Sequence, residues 1–256
     1  MSDLINLATQ DRILTIQMNR PDKKNALTLD MYTIMAGAMR AAEDDPDVRV
    51  ILFTGAGGNF TSGNDLGDFM TSPPVGKESP VWHFLSALFE AKKPLVSAVT
   101  GVAVGIGTTM LLHCDLAYAG ESARFILPFI NLGLVPEAGS SFLLPRFLGH
   151  VRAAELLMLG DSFDAAKALE LGFVNQVVPD DAVEALARSK AAQLAAKPPA
   201  ALRLTKAMLK EGHAEALAAT VRKESPRFIE RLNSAEAAEA FQAFMERRAP
   251  DFSQFS

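Results

Sequence analysis

The chain is poor in the residues that make cross-links and most metal sites. It has one cysteine, Cys114, and four histidines, His83, His113, His150 and His213, among 256 residues. A single thiol excludes an internal disulfide framework and suits a reducing compartment. Set in an apolar run with no Lys or Arg nearby, Cys114 reads as buried and inert. The histidines lack metal-ligand spacing, so no metal is expected, and His113 reads as a packed residue. Basic charge is not in excess: a net charge of −5 and no basic stripe argue against a nucleic-acid partner. Met1-Ser-Asp-Leu-Ile-Asn6 has neither a basic n-region nor an apolar h-region, so no secretory signal is visible and a cytoplasmic protein is expected. No Gly-Lys-Ser/Thr follows a glycine loop, and no Gly-x-Ser-x-Gly occurs. Gly105-Ile-Gly107-Thr-Thr-Met110 starts like a dinucleotide fingerprint but has Met at its third glycine position and no ribose-binding acid in place.

Charge is missing altogether from two stretches. Pro94–Cys114 is long enough to span a bilayer. Its three glycines, with Ser97, Thr100, Thr108 and Thr109, favour a buried strand over Leu95–Val99, a glycine turn and a buried helix over Thr108–His113; no membrane association is expected. In the second stretch, Glu137 is the only charged residue between Arg124 and Arg146. A carboxylate in such surroundings sits either at the segment's one wet spot or in a pocket, where desolvation raises a carboxylate's pKa. Two uncharged glycine turns lie upstream, at Gly55–Asn64 and Gly101–Gly107, each preceded by an apolar strand and Thr-Gly. Their backbone amides could present donors. One carboxylate facing two amide donors suffices to move a proton next to a carbonyl.

What is present is hydrophobic periodicity, with 49% apolar residues, enough for a sizeable core. Strands are expected at Leu4–Leu7 and Ile13–Met18, turning at Gln10-Asp11, and at Val48–Thr54, Leu95–Val99, Leu116–Tyr118, Phe125–Ile126 and Asn175–Val178. Arg20–Asn25 reads as a polar loop. Helices are expected from a Thr28 cap to Asp44, with Met31, Ile34, Met35, Ala38 and Met39 on one face, and over Pro80–Ala91, Ala138–Leu148, Val151–Leu159 and Phe163–Leu171, the last capped by Ser162. From Asp180 the chain is alanine-rich and helical, breaking at Pro198-Pro199, with helices near Ala200–Glu211, Ala214–Leu232 and Ala235–Glu246. This pattern implies an α/β core over residues 1–198 and a helical region over 199–256 whose apolar faces pack on a partner subunit or on the core.

Four segments, in this order, resemble the crotonase (enoyl-CoA hydratase/isomerase) superfamily: Asn19-Arg-Pro-Asp-Lys-Lys-Asn-Ala-Leu27, Phe60-Thr-Ser-Gly-Asn-Asp-Leu66, Lys93-Pro-Leu-Val-Ser-Ala-Val-Thr-Gly101 and Leu132-Gly-Leu-Val-Pro-Glu-Ala-Gly139. Leu159-Gly-Asp-Ser-Phe-Asp-Ala165 and Gly172-Phe-Val-Asn175 continue the similarity over nearly the whole chain. The resemblance implies a spiral of ββα units, a C-terminal trimerisation region and hence a homotrimer or dimer of trimers. It also implies an acyl-CoA thioester substrate with no separate cofactor, since coenzyme A is part of the substrate. Matched residue by residue, the two amides that bind the thioester oxygen fall on Asn64 and Ile106. Substrate contacts fall on Lys23 and Lys24, in the loop that approaches the CoA phosphates, and on Ala26, Ser62, Asp65, Leu66, Gly105 and Phe129. Alternatives stay open: Lys23 and Lys24 as solvated surface, Asn64 as a turn residue, Asp65 as a brace for its loop, and Asp115 as a structural tie.

Departures from the pattern point to one branch. The two glutamates with which enoyl-CoA hydratases hold water would fall on Thr109 and Phe129, and neither can act as a general base. Glu137 falls where the Δ3,Δ2-enoyl-CoA isomerase branch carries its single carboxylate, and Ser62-Gly-Asn-Asp-Leu66 and Pro136-Glu-Ala-Gly-Ser-Ser141 look particularly like that branch. The competing account makes Glu137 a helix N-terminal charge. The expectation is an enoyl-CoA isomerase. A ring or dienoyl isomerase, a hydratase and a non-catalytic acyl-CoA-binding subunit are the successive alternatives.

Overall fold

The structure, a computed structural model of the chain, describes residues 3–71 and 76–255. Met1 and Ser2, where the N-terminal reading begins, and Ser256, where the helical region ends, lie outside them. By compactness the chain divides into two units, Met1–Phe125 with Phe163–Gly212, and Ile126–Ser162 with His213–Ser256.

In the first unit, β1 (Ile5–Gln10) and β2 (Ile13–Met18) form an antiparallel hairpin. The turn is Asp11-Arg12, one residue later than expected. Both residues have positive φ (51° and 65°), the backbone hand that suits a two-residue hairpin. After a single 3₁₀ turn at Pro21–Lys23, α1 (Leu29–Asp44) starts at Thr28, whose side chain accepts from the Met31 N–H. Met31, Met35 and Met39 are buried, while Ile34 and Ala38 are only half-buried, because Tyr32 and Ala36 complete the buried stripe. Next come β3 (Val50–Gly55), α2 (Leu66–Thr71), α3 (Pro80–Glu90), β4 (Leu95–Val99), β5 (Val102–Val104), α4 (Ile106–Thr109), β6 (Leu116–Gly120) and β7 (Arg124–Ile126). Strand β6 pairs in parallel with β4, and β3 with β2 and β4.

The main sheet has the order β1-β2-β3-β4-β6-β9, and a second sheet has the order β5-β7-β8, with β8 at Ser162–Asp164 and β9 at Gln176–Val178. Successive strands β4, β5, β6 and β7 therefore alternate between the sheets, which is a spiral rather than a plain doubly wound sheet. Alternation of side chains along the strands sorts the two faces of the main sheet. Ile13, Val50, Leu52, Val96, Ala98 and Tyr118 pack on Val183, Ala187, Ala191 and Ala195 of α8 (Val183–Ala195). On the opposite face Phe53 meets Phe84 of α3 edge-on, with centroids 6.4 Å apart, and Tyr32 of α1 joins it at 5.4 Å.

The expected helix at Phe163–Leu171 is shorter and capped elsewhere. Residues Ser162–Asp164 are β8, and α7 (Ala165–Glu170) is capped by Asp164, which accepts from the Lys167 N–H. Phe163 is drawn into the sheet layer by stacking on Phe125 at 5.5 Å. The expected pair of helices after Pro199 is one helix, α9 (Pro199–Leu232), which runs through Gly212 and Pro226. A mid-helix glycine costs only about 1 kcal/mol, which packing readily offsets. Pro199 thus opens α9, and the boundary between the compact units falls within that helix.

The second unit holds α5 (Ser140–Leu148), α6 (His150–Leu159), the later part of α9, and α10 (Ala235–Glu246). Helix α5 begins two residues later than expected, because Ala138 and Gly139 both have positive φ (55° and 75°). Among the described residues no helix is long and apolar enough to cross a membrane.

Asp115 is a structural tie of the first unit. It accepts from the Leu95 N–H at 2.7 Å and pairs with Lys206 at 2.7 Å, while Lys206 also donates to the Lys93 carbonyl at 2.7 Å. Lys206 is 5% exposed, so its ammonium has no water to replace these partners. Lys206→Met is expected to destabilise the protein by about 3 kcal/mol, the usual cost of stranding one member of a buried pair. Urea unfolding measures this. A variant as stable as wild type would assign the edge of β4 to main-chain bonds alone.

Candidate active site

In the first unit the candidate residues lie on three adjoining segments, and a buried asparagine holds two of them. Asn25 has φ 57° and no exposure. Its Nδ2 donates to the carbonyls of Ala56 (2.9 Å) and Asn59 (2.6 Å), and its Oδ1 accepts from the Arg20 N–H (2.7 Å). Thr61 Oγ1 donates to the Asn25 carbonyl (2.7 Å) and accepts from the Gly63 N–H (3.1 Å). Ser62 adds two bonds to the loop containing the exposed Lys23 and Lys24: its N–H to the Lys24 carbonyl at 2.9 Å, and its Oγ to the Lys23 carbonyl at 3.1 Å.

This scaffold orients Asn64. The Leu27 N–H donates to the Gly63 carbonyl and the Asp65 N–H donates to the Leu27 carbonyl, so Leu27 and Asn64 form a parallel bridge. In such a bridge the bonded groups belong to the residues flanking Asn64, and Asn64's own N–H points to the opposite side. Its side-chain oxygen is held by the Tyr32 hydroxyl at 2.5 Å.

On the other side, Thr61 bridges Ala103 through the Thr61 N–H to the Val102 carbonyl and the Val104 N–H to the Thr61 carbonyl. Gly105 then takes φ 57°, ψ −116°, a conformation essentially reserved for glycine. Its carbonyl accepts from the Thr108 and Thr109 N–H groups, which starts α4 at Ile106. A first helical residue has no carbonyl one turn back to bond. Gly63 lies so close to this segment that a Cβ there would stand 2.8 Å from the Val104 oxygen, and one on Gly107 would stand 2.6 Å from Thr61 Cγ2. Asn64 and Ile106 are therefore on side-by-side segments. Among the described residues neither of their N–H groups donates to a protein acceptor.

Asp65 braces this unit. It pairs with Arg20 at 2.5 Å, and its other oxygen accepts from the Gly67 and Asp68 N–H groups at the start of α2. The Arg20 bond, opposed in part by burial, holds the Asp65 carboxyl below the usual aspartate range. Ala26 and Leu66 are half-buried on the two segments joined by Leu27 and Asn64. Cys114 is half-buried and, contrary to the sequence reading, has Lys210 and Lys206 nearby; burial, then the neighbouring Asp115 charge, still pushes its thiol up to about 12. His113 is packed against Phe89 at 4.7 Å.

Phe129 and Glu137 belong to the second unit. Phe129 is buried, and its carbonyl accepts from the Leu132 and Leu134 N–H groups. The loop that follows is fastened to the later helices. A Cβ on Gly133 would stand 2.8 Å from the Ala237 nitrogen, and Arg231 donates to the Gly133 carbonyl at 3.1 Å. Glu137 is half-buried, and its main-chain carbonyl accepts from the Ser140 N–H and hydroxyl. The left-handed Ala138, which costs on the order of 1 kcal/mol, turns the chain between Glu137 and α5.

The start of this helix is held by a carboxylate from α9. Glu224 accepts from the Gly139 N–H (2.6 Å), the Ser141 N–H (3.0 Å) and the Ser141 hydroxyl (2.5 Å). Sequence reasoning missed Glu224, Asn25, Arg20 and Tyr32. Arg20 and Asn25 stand within the quoted Asn19–Leu27 segment; Glu224 carries no local signal. Among the described residues no group of three or more His, Cys, Asp or Glu could hold a metal ion.

The family profile described as Enoyl-CoA hydratase/isomerase matches residues 8–255. The chain belongs to this family. Enoyl-CoA delta isomerase 2 of Rattus norvegicus is 35% identical over 251 residues, 95% of this chain and 64% of that protein, so the chain spans just under two thirds of the relative's length. The 2,3-dehydroadipyl-CoA hydratase of Escherichia coli (strain K12) is 34% identical over 253 residues, 98% of this chain and 99% of that protein. A solved structure of Pseudomonas aeruginosa OdaA is similar with a TM-score of 0.94 at 48% identity, covering 96% of this chain and all of that one. The mixed α/β architecture with helical C-terminal elements is that of the crotonase fold.

Replacing Asp65 by Asn is expected to destabilise the protein by about 1–2 kcal/mol at neutral pH, since the charge-assisted bond to Arg20 is lost. A depressed folded-state pKa contributes stability above the ordinary aspartate range and loses it as pH falls. The wild-type advantage over Asp65→Asn should therefore be constant down to about pH 5 and shrink below about pH 4. Thermal denaturation of both proteins across this range checks it. An advantage that grows on acidification would contradict the assignment.

Proposed function

We propose that this crotonase-family protein is an enoyl-CoA isomerase that converts a 3-enoyl-CoA into the conjugated trans-2-enoyl-CoA. On this reading the thioester oxygen accepts from the Asn64 and Ile106 N–H groups. Glu137 removes a proton from C2, the electron pair spreads over the thioester and the former double bond as a dienolate, and Glu137 returns the proton at C4. Donors fixed before the reaction favour the charge that develops on the oxygen. Lys23 and Lys24 would meet the CoA phosphates, and Ala26, Ser62, Leu66, Gly105 and Phe129 would line the substrate. Coenzyme A enters as part of the substrate, so one carboxylate and two amides complete the chemistry.

The observation that carries this reading over hydration is the pair of residues at 109 and 129. Both are buried, and neither has a carboxyl: Thr109 has no exposure and Phe129 is 4% exposed. A hydratase needs acids there to hold and deprotonate water. The single base left in an otherwise uncharged segment is Glu137. Glu137→Gln should preserve folding and CoA-ester binding and lower kcat by about 10²–10⁴ in the formation of conjugated thioester from 3-hexenoyl-CoA. The wild-type enzyme should hydrate crotonyl-CoA slower than it isomerises by at least about 10². Near-wild-type isomerisation by the variant would sink the one-base mechanism. Comparable hydration would replace the reading with a hydratase.

The same reading makes the protein a homotrimer or dimer of trimers, with residues 199–256 as its assembly region. Leu204, Met208 and Leu209 on α9 and Phe244 and Met245 on α10 are exposed large apolar side chains. A cytoplasmic location suits the lone, partly buried Cys114. Light scattering at micromolar concentration should give three or six times the chain mass of 27.5 kDa. A monomer would return these side chains to the solvent surface and remove the assembly role.

A further inference from the structure

We infer that Glu224 is a positioning residue for Glu137: it occupies the N-terminal donors of α5 and so keeps them from capturing the base. This inference rests on the role proposed for Glu137. The N–H groups at the start of a helix, with the positive end of its dipole, attract the nearest carboxylate. In sequence that carboxylate is Glu137, two residues before Gly139. Yet each N–H from Gly139 to Phe142 has another acceptor. The Gly139 and Ser141 N–H groups go to the two oxygens of Glu224, the Ser140 N–H goes to the Glu137 carbonyl, and the Phe142 N–H goes to the Gly139 carbonyl.

The grip is built into the packing. Leu217, Val221 and Glu224 lie on one face of α9, at spacings of four and three residues. Leu217 and Val221 press on Gly139, where a Cβ would stand 2.3 Å from Leu217 Cδ1 and 3.4 Å from Val221 Cγ2. Glu224 is 6% exposed and spends both oxygens on this turn. The arrangement fixes the left-handed Ala138-Gly139 pair, and with it the direction in which Glu137 leaves the helix. A Glu137 carboxylate drawn onto those amides would be stabilised in its ionised form and would be a weaker, misdirected base.

The test is a double-mutant cycle on the full-length protein with 3-hexenoyl-CoA as substrate. Glu224→Gln keeps the shape but offers one acceptor oxygen and a mismatched NH₂ where the carboxylate offered two oxygens. Its kcat should fall at least about tenfold with KM changed by less than about twofold, as for a group that acts on the base rather than on binding. Because Glu224 works through Glu137, Glu137→Gln and the double variant should have equal residual kcat within about twofold. A Glu224→Gln enzyme with lowered melting temperature but unchanged kcat would make Glu224 a stabilising cap only and overturn the inference. So would losses that multiply in the double variant. Near-wild-type activity of Glu137→Gln alone overturns the isomerase reading and this inference together, an outcome distinct from failure of the cycle. Should Glu224→Gln be unstable, Glu224→Asp, which retracts the carboxylate by one methylene, carries the same cycle with the same outcomes.

Discussion

The carboxamide of Asn25 is the fixed point on which the donor half of the proposed site depends. It joins the loop after β2 to the turn after β3 with two donated bonds, and its accepted bond from the Arg20 N–H closes its own loop. An amide side chain alone offers two donors and an acceptor in one plane, and a left-handed backbone is a conformation asparagine tolerates better than most residues. Thr61 extends the staple from the Asn25 carbonyl to the Gly63 N–H, which sets the strand that carries Asn64. The position of an unpaired main-chain amide is thus decided by side chains that never need to meet a substrate.

That division of labour explains what could be read from the residues and what could not. Elements with local causes were legible. Thr28 caps α1 because a threonine hydroxyl can reach the third N–H on, and Leu95–Val99 is a central strand because both of its faces are buried. Elements decided by partners far along the chain were not. Ser162 and Asp164 are equally good caps by composition, and the stacking of Phe163 on Phe125 draws the residues around it into β8, leaving Asp164 to start α7. Gly212 looks like a break, yet α9 continues through it.

The site follows the same rule. Asn64, Asp65, Gly105 and Ile106 were assigned through resemblance, and their segments are shaped by glycines whose conformation no other residue adopts easily. Glu137 stood out because its neighbours are uncharged. The pairing of Arg20 with Asp65 spans 45 residues and that of Glu224 with Gly139 spans 85, and no local pattern announces contacts of that kind. Ala138 was the hardest residue to read, since alanine ordinarily prolongs a helix. Its left-handed backbone directly precedes Gly139, the residue on which Leu217, Val221 and Glu224 of α9 close.

The relatives bear isomerase and hydratase names at nearly equal identity, and the architecture offers a physical reason for this. Main-chain N–H groups survive any change of side chain, so the part proposed to hold the thioester oxygen can persist while the acids around it change. Overall identity is then a poor guide to the reaction. On the proposed reading, discrimination is left to a few positions, here 109, 129 and 137, together with the groups that control the environment of each acid. A carboxylate placed beside a helix N-terminus is useful as a base only if that terminus is satisfied by something else. Glu224, far along the chain from Glu137, meets that condition, so the chemistry of the site cannot be judged from the residues at the three positions alone.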